Sequence, residues 1–113
     1  MHEFSIALNI IKIAEEQVIK KKENAISSIE IETGPFSGVI VDALEFAFQQ
    51  ARKNTLAENA TLSINWIEGK LKCLRCNHVF KTDTLYTLCP VCNAFETEIV
   101  QGQELKIRSI EIH

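Results

Sequence analysis

Cys73, Cys76, Cys89 and Cys92 constrain this chain more than any other feature. They form two Cys-x-x-Cys pairs on either side of segment 77–88. A two-residue gap lets a tight turn aim two thiolates at one point, and 77–88 is long enough for a hairpin that returns the second pair to the first. Four thiolates in a tetrahedron at ~2.3 Å from the ion is the arrangement Zn²⁺ takes in closed structural sites. Such a site has no position left for chemistry, so the motif points to a metal and says little about function. Disulfides are the competing use. His2 and Glu3 open the chain with no cleavage-type segment behind them, so a reducing, cytoplasmic location is expected and metal is the preferred reading.

With 113 residues, 46% of them hydrophobic, the chain fits one small domain or a small domain carrying a satellite. A net charge of −3 gives no general attraction to nucleic acid or an anionic membrane. No apolar run approaches the ~20 residues that span a bilayer.

The apolar spacing from His2 to about Glu23 is helical. Phe4, Ala7, Ile11, Ala14 and Val18 follow one face, which Leu8, Ile10, Ile13 and Ile19 widen. Lys20, Lys21 and Lys22 read as a solvated helix end, where the dipole favours cations. In Ile26 to Thr33, Ile29 and Ile31 alternate with Ser28, Glu30 and Glu32, the pattern of a half-buried strand. Gly34 and Pro35 break it. Ser37 is positioned to cap a second helix with Ile40, Leu44, Ala47, Phe48 and Ala51 on one stripe, ending at Asn54. Thr61 to Ile67 alternates again through Leu62, Ile64 and Trp66. Glu104 to Ile112 resumes strand character, with a slip of one residue near Arg108 and Ser109 that suits a bulge.

Between these stretches hydrophobes thin out and the cysteines appear. An insert of this size cannot build a sufficient core alone, so metal must hold it together. The expected fold is α+β: two helices packed on a small three-stranded mixed sheet, with an inserted four-cysteine, zinc-ribbon-like unit. The expected domains are 1–68 with 103–113, and an insert at 69–102. Strand 26–33, the second helix and strand 61–67 make a βαβ-like unit, so those strands are candidate parallel neighbours.

Little else offers chemistry. There is no Gly-rich phosphate loop and no nucleophile motif. A zincin helix needs a second histidine four residues after the first, and position 6 is Ile. His2 alone among the histidines has unusual company, because with Met1 retained the α-amine lies one peptide unit away. The amine, the deprotonated His2 amide and the imidazole can close adjacent chelate rings in one plane, which suits Ni²⁺ or Cu²⁺ better than tetrahedral Zn²⁺. Bound protons must leave, so affinity falls with pH. Two other functions compete. A nucleic-acid or protein-binding zinc ribbon would use Lys70, Lys72, Arg75 and Lys81, but Asp83, Glu96 and Glu98 reduce the net charge over 69–99 to +1. A rubredoxin-like protein would hold redox iron in the same thiolates, which ligand type cannot distinguish from zinc.

The opening Met1-His2-Glu3 and its helix, the Gly34 turn, the paired Cys-x-x-Cys motifs and the closing Leu105–Ile112 strand together resemble the HypA/HybF family of hydrogenase nickel-incorporation proteins, in order and over essentially the whole chain. The resemblance implies a nickel metallochaperone and not an enzyme. Met1, His2 and Glu3 would bind Ni(II) through the amine, the histidine and backbone nitrogens. Cys73, Cys76, Cys89 and Cys92 would hold structural Zn(II). The implied partners are a hydrogenase maturation GTPase and the nickel–iron hydrogenase large subunit, with urease accessory proteins in some members. Neither nucleic acid nor a membrane span is implied, and the location is cytoplasmic. The chain departs from the family where some members place a carboxylate ligand near the start of the second helix. Ile40 stands there, and the nearest carboxylate, Asp42, reads as a helix-dipole partner. His78 reads as a hairpin surface residue or as a contact behind the zinc ligands.

Overall fold

The computed structural model describes residues 2–113. In chain order these form α1 (His2–Lys20), β1 (Ile26–Thr33), α2 (Val41–Ala51), β2 (Thr61–Trp66), β3 (Lys70–Cys73), β4 (Val79–Lys81), β5 (Thr97–Gln101) and β6 (Leu105–Ile112). The elements separate into two compact units. One runs to Ile31 and includes Val39–Asn65 and Lys106–His113; the other comprises Glu32–Gly38 and Trp66–Leu105.

In the first unit, Ala7, Ile10, Ile11, Ala14 and Val18 bury the inner face of α1. Phe4, expected on the inner face, and the flanking Leu8 and Ile13 stay more than a third exposed and Ile19 is mostly exposed, so the buried stripe is narrower than the hydrophobic one. The helix closes on a left-handed Lys22 (φ 56°), with the Glu23 and Lys22 amides donating back to the Val18 and Ile19 carbonyls. This is the reversed pairing of a Schellman end, made here without glycine. α2 buries Leu44, Ala47, Phe48 and Ala51.

Its start differs from the sequence expectation. Gly38 adopts φ +82°, Ser37 Oγ accepts from Thr33 Oγ1, and Ile40 is the N-cap with no side-chain cap of its own. The left-handed glycine separates Ser37 from the first helical turn. A carboxylate from α1 meets the N-cap residue's own backbone: the Ile40 amide donates to Glu3 Oε2 at 3.4 Å.

The sheet order is β2-β1-β6. The Ile26 amide donates to Leu56 at one end of β1, and the Ile67 amide donates to Thr33 at the other. Residue numbers therefore rise together in β1 and β2, as in a parallel pair. Ala25 and His113 exchange both backbone bonds, while Ser28 meets Glu111 and Glu30 meets Ser109, so β6 runs antiparallel to β1. The sheet is mixed. Leu62, Ile64, Ile107, Ile110 and Ile112 pack half-buried against the main core, whereas Trp66 is 48% exposed. Trp66 belongs to the second unit, so the inward alternation of β2 stops before it.

The second unit has a sheet of its own, β4-β3-β5, with both pairs antiparallel. Its core is Leu71, Cys73, Phe80, Cys89 and Ala94, backed by Phe36 and Ile99. Three glycines meet where the chain passes into and out of it. A Cβ on Gly34 would lie 2.6 Å from the Gly102 carbonyl oxygen, and one on Gly69 would lie 2.2 Å from the Thr82 carbonyl oxygen. The Phe36 amide donates to Gly102 and the Thr82 amide to Gly69, so these backbones are bonded where side chains would intrude. Gly69→Ala is expected to cost about 1–3 kcal/mol, the range for forcing atoms into filled space. Chemical denaturation monitored in the second unit checks this, and unchanged stability would contradict it.

Candidate metal centres

The two cysteine pairs sit on two copies of one local structure, sixteen residues apart. In the first copy the Cys73 amide donates to the His78 carbonyl and the Asn77 amide to the Cys73 carbonyl. In the second the Cys89 amide donates to Ala94 and the Asn93 amide to Cys89. Asn77 and Asn93 both take φ 64°, a left-handed conformation that asparagine tolerates better than most side chains. That conformation turns the chain back after each Cys-x-x-Cys and leaves amides free to face sulfur. Arg75 and Cys76 amides point at Cys73 Sγ, at 3.4 and 3.5 Å.

All four sulfurs lie within 4.8 Å of one another. Cys73 and Cys92 are 3.5 Å apart, and Cys76 and Cys89 are 3.6 Å apart. A tetrahedron with ~2.3 Å metal–sulfur bonds requires sulfurs about 3.8 Å apart, so the donor set fits one ion at its centre. Cys73 and Cys89 are buried, whereas Cys76 and Cys92 face solvent.

The acidity of the thiols describes the same site. The Cys76 amide, with that of Arg75, holds the Cys73 thiol down at about 7 against burial. The His78 amide favours the Cys76 thiolate, but burial and the neighbouring thiols of Cys89, Cys92 and Cys73 outweigh it and push Cys76 up to about 12. Burial opposes ionisation of Cys89, yet the Cys92 and Val91 amides lower its pKa. At Cys92 the Ala94 amide favours the thiolate, but Cys73 and burial override it and the pKa rises. Each pair thus has one thiol that ionises readily and one that resists. Four negative charges this close need a cation among them.

The other predicted site begins α1. Met1 lies outside the described residues. His2 is the first residue of α1 and is exposed, and its Nδ1 lies 3.7 Å from Glu3 Oε2. A helix leaves its first four amides without intrahelical partners, so the His2 and Glu3 nitrogens lie outside the helical ladder. Asp42 occupies the first turn of α2, where a carboxylate meets the positive end of the dipole.

His78 contributes its backbone to the cysteine site. Its ring stacks on Phe80, with centroids 6.2 Å apart. Two of the cations considered for nucleic acid are paired, Arg75 with Glu96 and Lys81 with Glu68, each at 3.2 Å. The sequence reading passed over Asn77 and Asn93, although an asparagine directly after each Cys-x-x-Cys was a visible signal. It also passed over the reach of Glu3 to Ile40, for which residues 37 apart give no local sign.

Comparison with known proteins agrees with this geometry. Residues 1–112 match the family described as hydrogenase/urease nickel incorporation, metallochaperone, hypA. The chain is 37% identical over 112 residues to the hydrogenase maturation factor HypA of Parabacteroides distasonis, covering 99% of this chain and 97% of the relative. It is 36% identical over 112 residues to that of Geobacter sulfurreducens, covering 99% of each. The solution structure of a HypA protein superposes with a TM-score of 0.72 at 30% identity, covering 100% of this chain and 97% of that one. The solution structure of the Ni metallochaperone HypA from Helicobacter pylori gives 0.64 at 28% identity, covering 97% and 96%. An α+β chain of two helices and small mixed sheets, carrying a four-cysteine metal-binding cluster and matched from end to end, belongs to the HypA family of nickel-incorporation metallochaperones.

Proposed function

We propose that this protein carries Ni(II) at its N-terminus and passes it, with a partner GTPase, into the large subunit of nickel–iron hydrogenase, with urease maturation as a second destination. Nickel is cargo here, and the protein turns over no substrate. The ligands are the Met1 amine, the His2 imidazole and the backbone nitrogens of His2 and Glu3. Four nitrogens in one plane match the tetragonal preference of Ni²⁺. The observation that carries this reading is that α1 begins at His2, so the required amide nitrogens are free of helical hydrogen bonds.

Cys73, Cys76, Cys89 and Cys92 hold structural Zn(II), and the ion stabilises the insert at 69–102. Residues 1–68 with 103–113 form the nickel domain. Transfer takes place in the cytoplasm. Among the described residues no helix is long and apolar enough to cross a membrane.

Calorimetric nickel titration of His2→Ala with zinc retained tests the proposal. The variant is expected to lose high-affinity binding while keeping its zinc. Parent-like nickel affinity would overturn the assignment.

A further inference from the structure

The four sulfurs differ in what can reach them. Cys73 and Cys89 are buried, while Cys76 and Cys92, the second cysteine of each pair, face solvent. The backbone divides them in the same way. Cys73 Sγ accepts from the Arg75 and Cys76 amides at 3.4 and 3.5 Å, and Cys89 accepts from those of Val91 and Cys92. Cys76 and Cys92 each take a single amide, from His78 and from Ala94. Amide hydrogen bonds draw charge off a thiolate and blunt its attack on an electrophile. The sulfurs open to solvent are therefore also the more electron-rich ones.

Contacts across the site add a second condition. Each exposed sulfur lies against the buried sulfur of the other pair: Cys92 is 3.5 Å from Cys73, and Cys76 is 3.6 Å from Cys89. An accessible thiolate beside a second one has the two parts of a peroxide-oxidisable site, a sulfur that reacts first and a sulfur that resolves it. The repeated local structure supplies both parts twice.

We infer that Cys76 and Cys92 are modification sites for peroxides, and that oxidation joins the two motifs through Cys76–Cys89 and Cys73–Cys92 disulfides, with loss of the zinc. In the first step an exposed thiolate attacks one peroxide oxygen and the O–O bond breaks. Sulfur becomes a sulfenic acid, and the other oxygen takes a proton and leaves as water. In the second step the buried thiolate attacks that sulfur, the S–O bond breaks, and the hydroxide leaves with another proton as a second water. Each disulfide consumes one peroxide, which is reduced to two waters while two thiolates are oxidised. The two sulfurs left after the first disulfide cannot complete a tetrahedral site. The insert then loses the ion that its fold depends on, while no proposed nickel-binding nitrogen takes part. The zinc release rests on the proposed zinc assignment, whereas the choice of sulfurs does not; metal analysis before oxidant is added separates the two.

The test uses the zinc-loaded full chain, treated with hydrogen peroxide in the presence of a chromogenic zinc indicator. About one zinc should be released per peroxide consumed, since one disulfide removes two ligands. Dimedone, which captures sulfenic acids, should label Cys76 and Cys92 at substoichiometric peroxide and leave Cys73 and Cys89 unlabelled. Without dimedone, tryptic digestion and mass spectrometry map the disulfides. Trypsin cuts after Arg75, between Cys73 and Cys76, and again after Lys81, so Cys89 and Cys92 share the peptide 82–106. Disulfides across the motifs tie that peptide to both of the others, and fragmentation should assign Cys76 to Cys89 and Cys73 to Cys92. Dithiothreitol with added zinc should restore a protease-resistant insert. Label on the buried sulfurs first, any other disulfide pairing, or zinc retained through excess peroxide would each overturn the inference. A chain without zinc at the outset would sink the zinc assignment alone, and the labelling and mapping would still decide which sulfurs react.

Discussion

Stripping the metal from the four cysteines is expected to unfold the second unit while the first stays folded. The reason is the size of its core. Among the described residues Leu71, Phe80 and Ala94 are the only buried hydrophobic residues of its core cluster besides Cys73 and Cys89, and those two are proposed metal ligands. Structural zinc contributes about 10–16 kcal/mol to zinc-finger peptides at neutral pH, far more than so small a core supplies. After chelation, limited proteolysis should cut within 70–101, while α1 and α2 keep their helical circular dichroism. Cys73→Ser should do the same without chelator. Acid should act in the same direction, because protons compete with the metal at every thiol, including Cys73, which ionises near 7 when metal-free. An insert that resists protease after verified metal loss would show that packing alone holds it.

The second large effect is expected at the other end of the chain. Losing a partner behind a metal ligand typically costs about 10–100-fold in affinity, so losing a ligand itself should cost at least about 100-fold. His2→Ala should therefore weaken nickel binding by that factor or more. One residue placed before Met1 should also weaken it, because a peptide nitrogen replaces the free amine. Neither change touches a buried residue among those described, so zinc content and thermal unfolding should be unaltered. If the extended chain binds nickel as the parent does, the amine is not a ligand and the in-plane nitrogen set must be redrawn.

Features decided by neighbouring residues were legible in the sequence. β1 occupies 26–33 as the alternation of Ile29 and Ile31 implies, and the stripe from Leu44 to Ala51 faces inward. The spacing of the cysteines implied their convergence. Features decided by distant contacts were not legible. Ser37 has the chemistry of a cap, but a left-handed Gly38 follows it, Ile40 becomes the N-cap, and the Ile40 amide donates to Glu3 from a distant part of the sequence. Trp66 continues the alternation of β2 and still sits half in solvent. The strands of the insert are three to five residues long, and β4 buries only Phe80, too little periodicity to read. At the metal site the ligands were legible because their chemistry is restricted, whereas the two asparagine turns that aim the amides depend on backbone conformation.

The meeting of Gly34, Gly69 and Gly102 also bears on the order of folding. β1 and β6 pair across 79 to 83 residues of sequence, and closing so long a loop costs entropy before any contact repays it. Gly34 directly follows β1 and Gly102 lies just before β6. Once the second unit has folded around its ion, the contact of these glycines has already brought the two strand ends close together, and the remaining search is short. Refolding in stopped flow should show faster formation of the first unit when metal is present at the start; equal rates would mean the sheet closes unaided. An ion with no part in carrying cargo would then set how soon the carrier itself is complete.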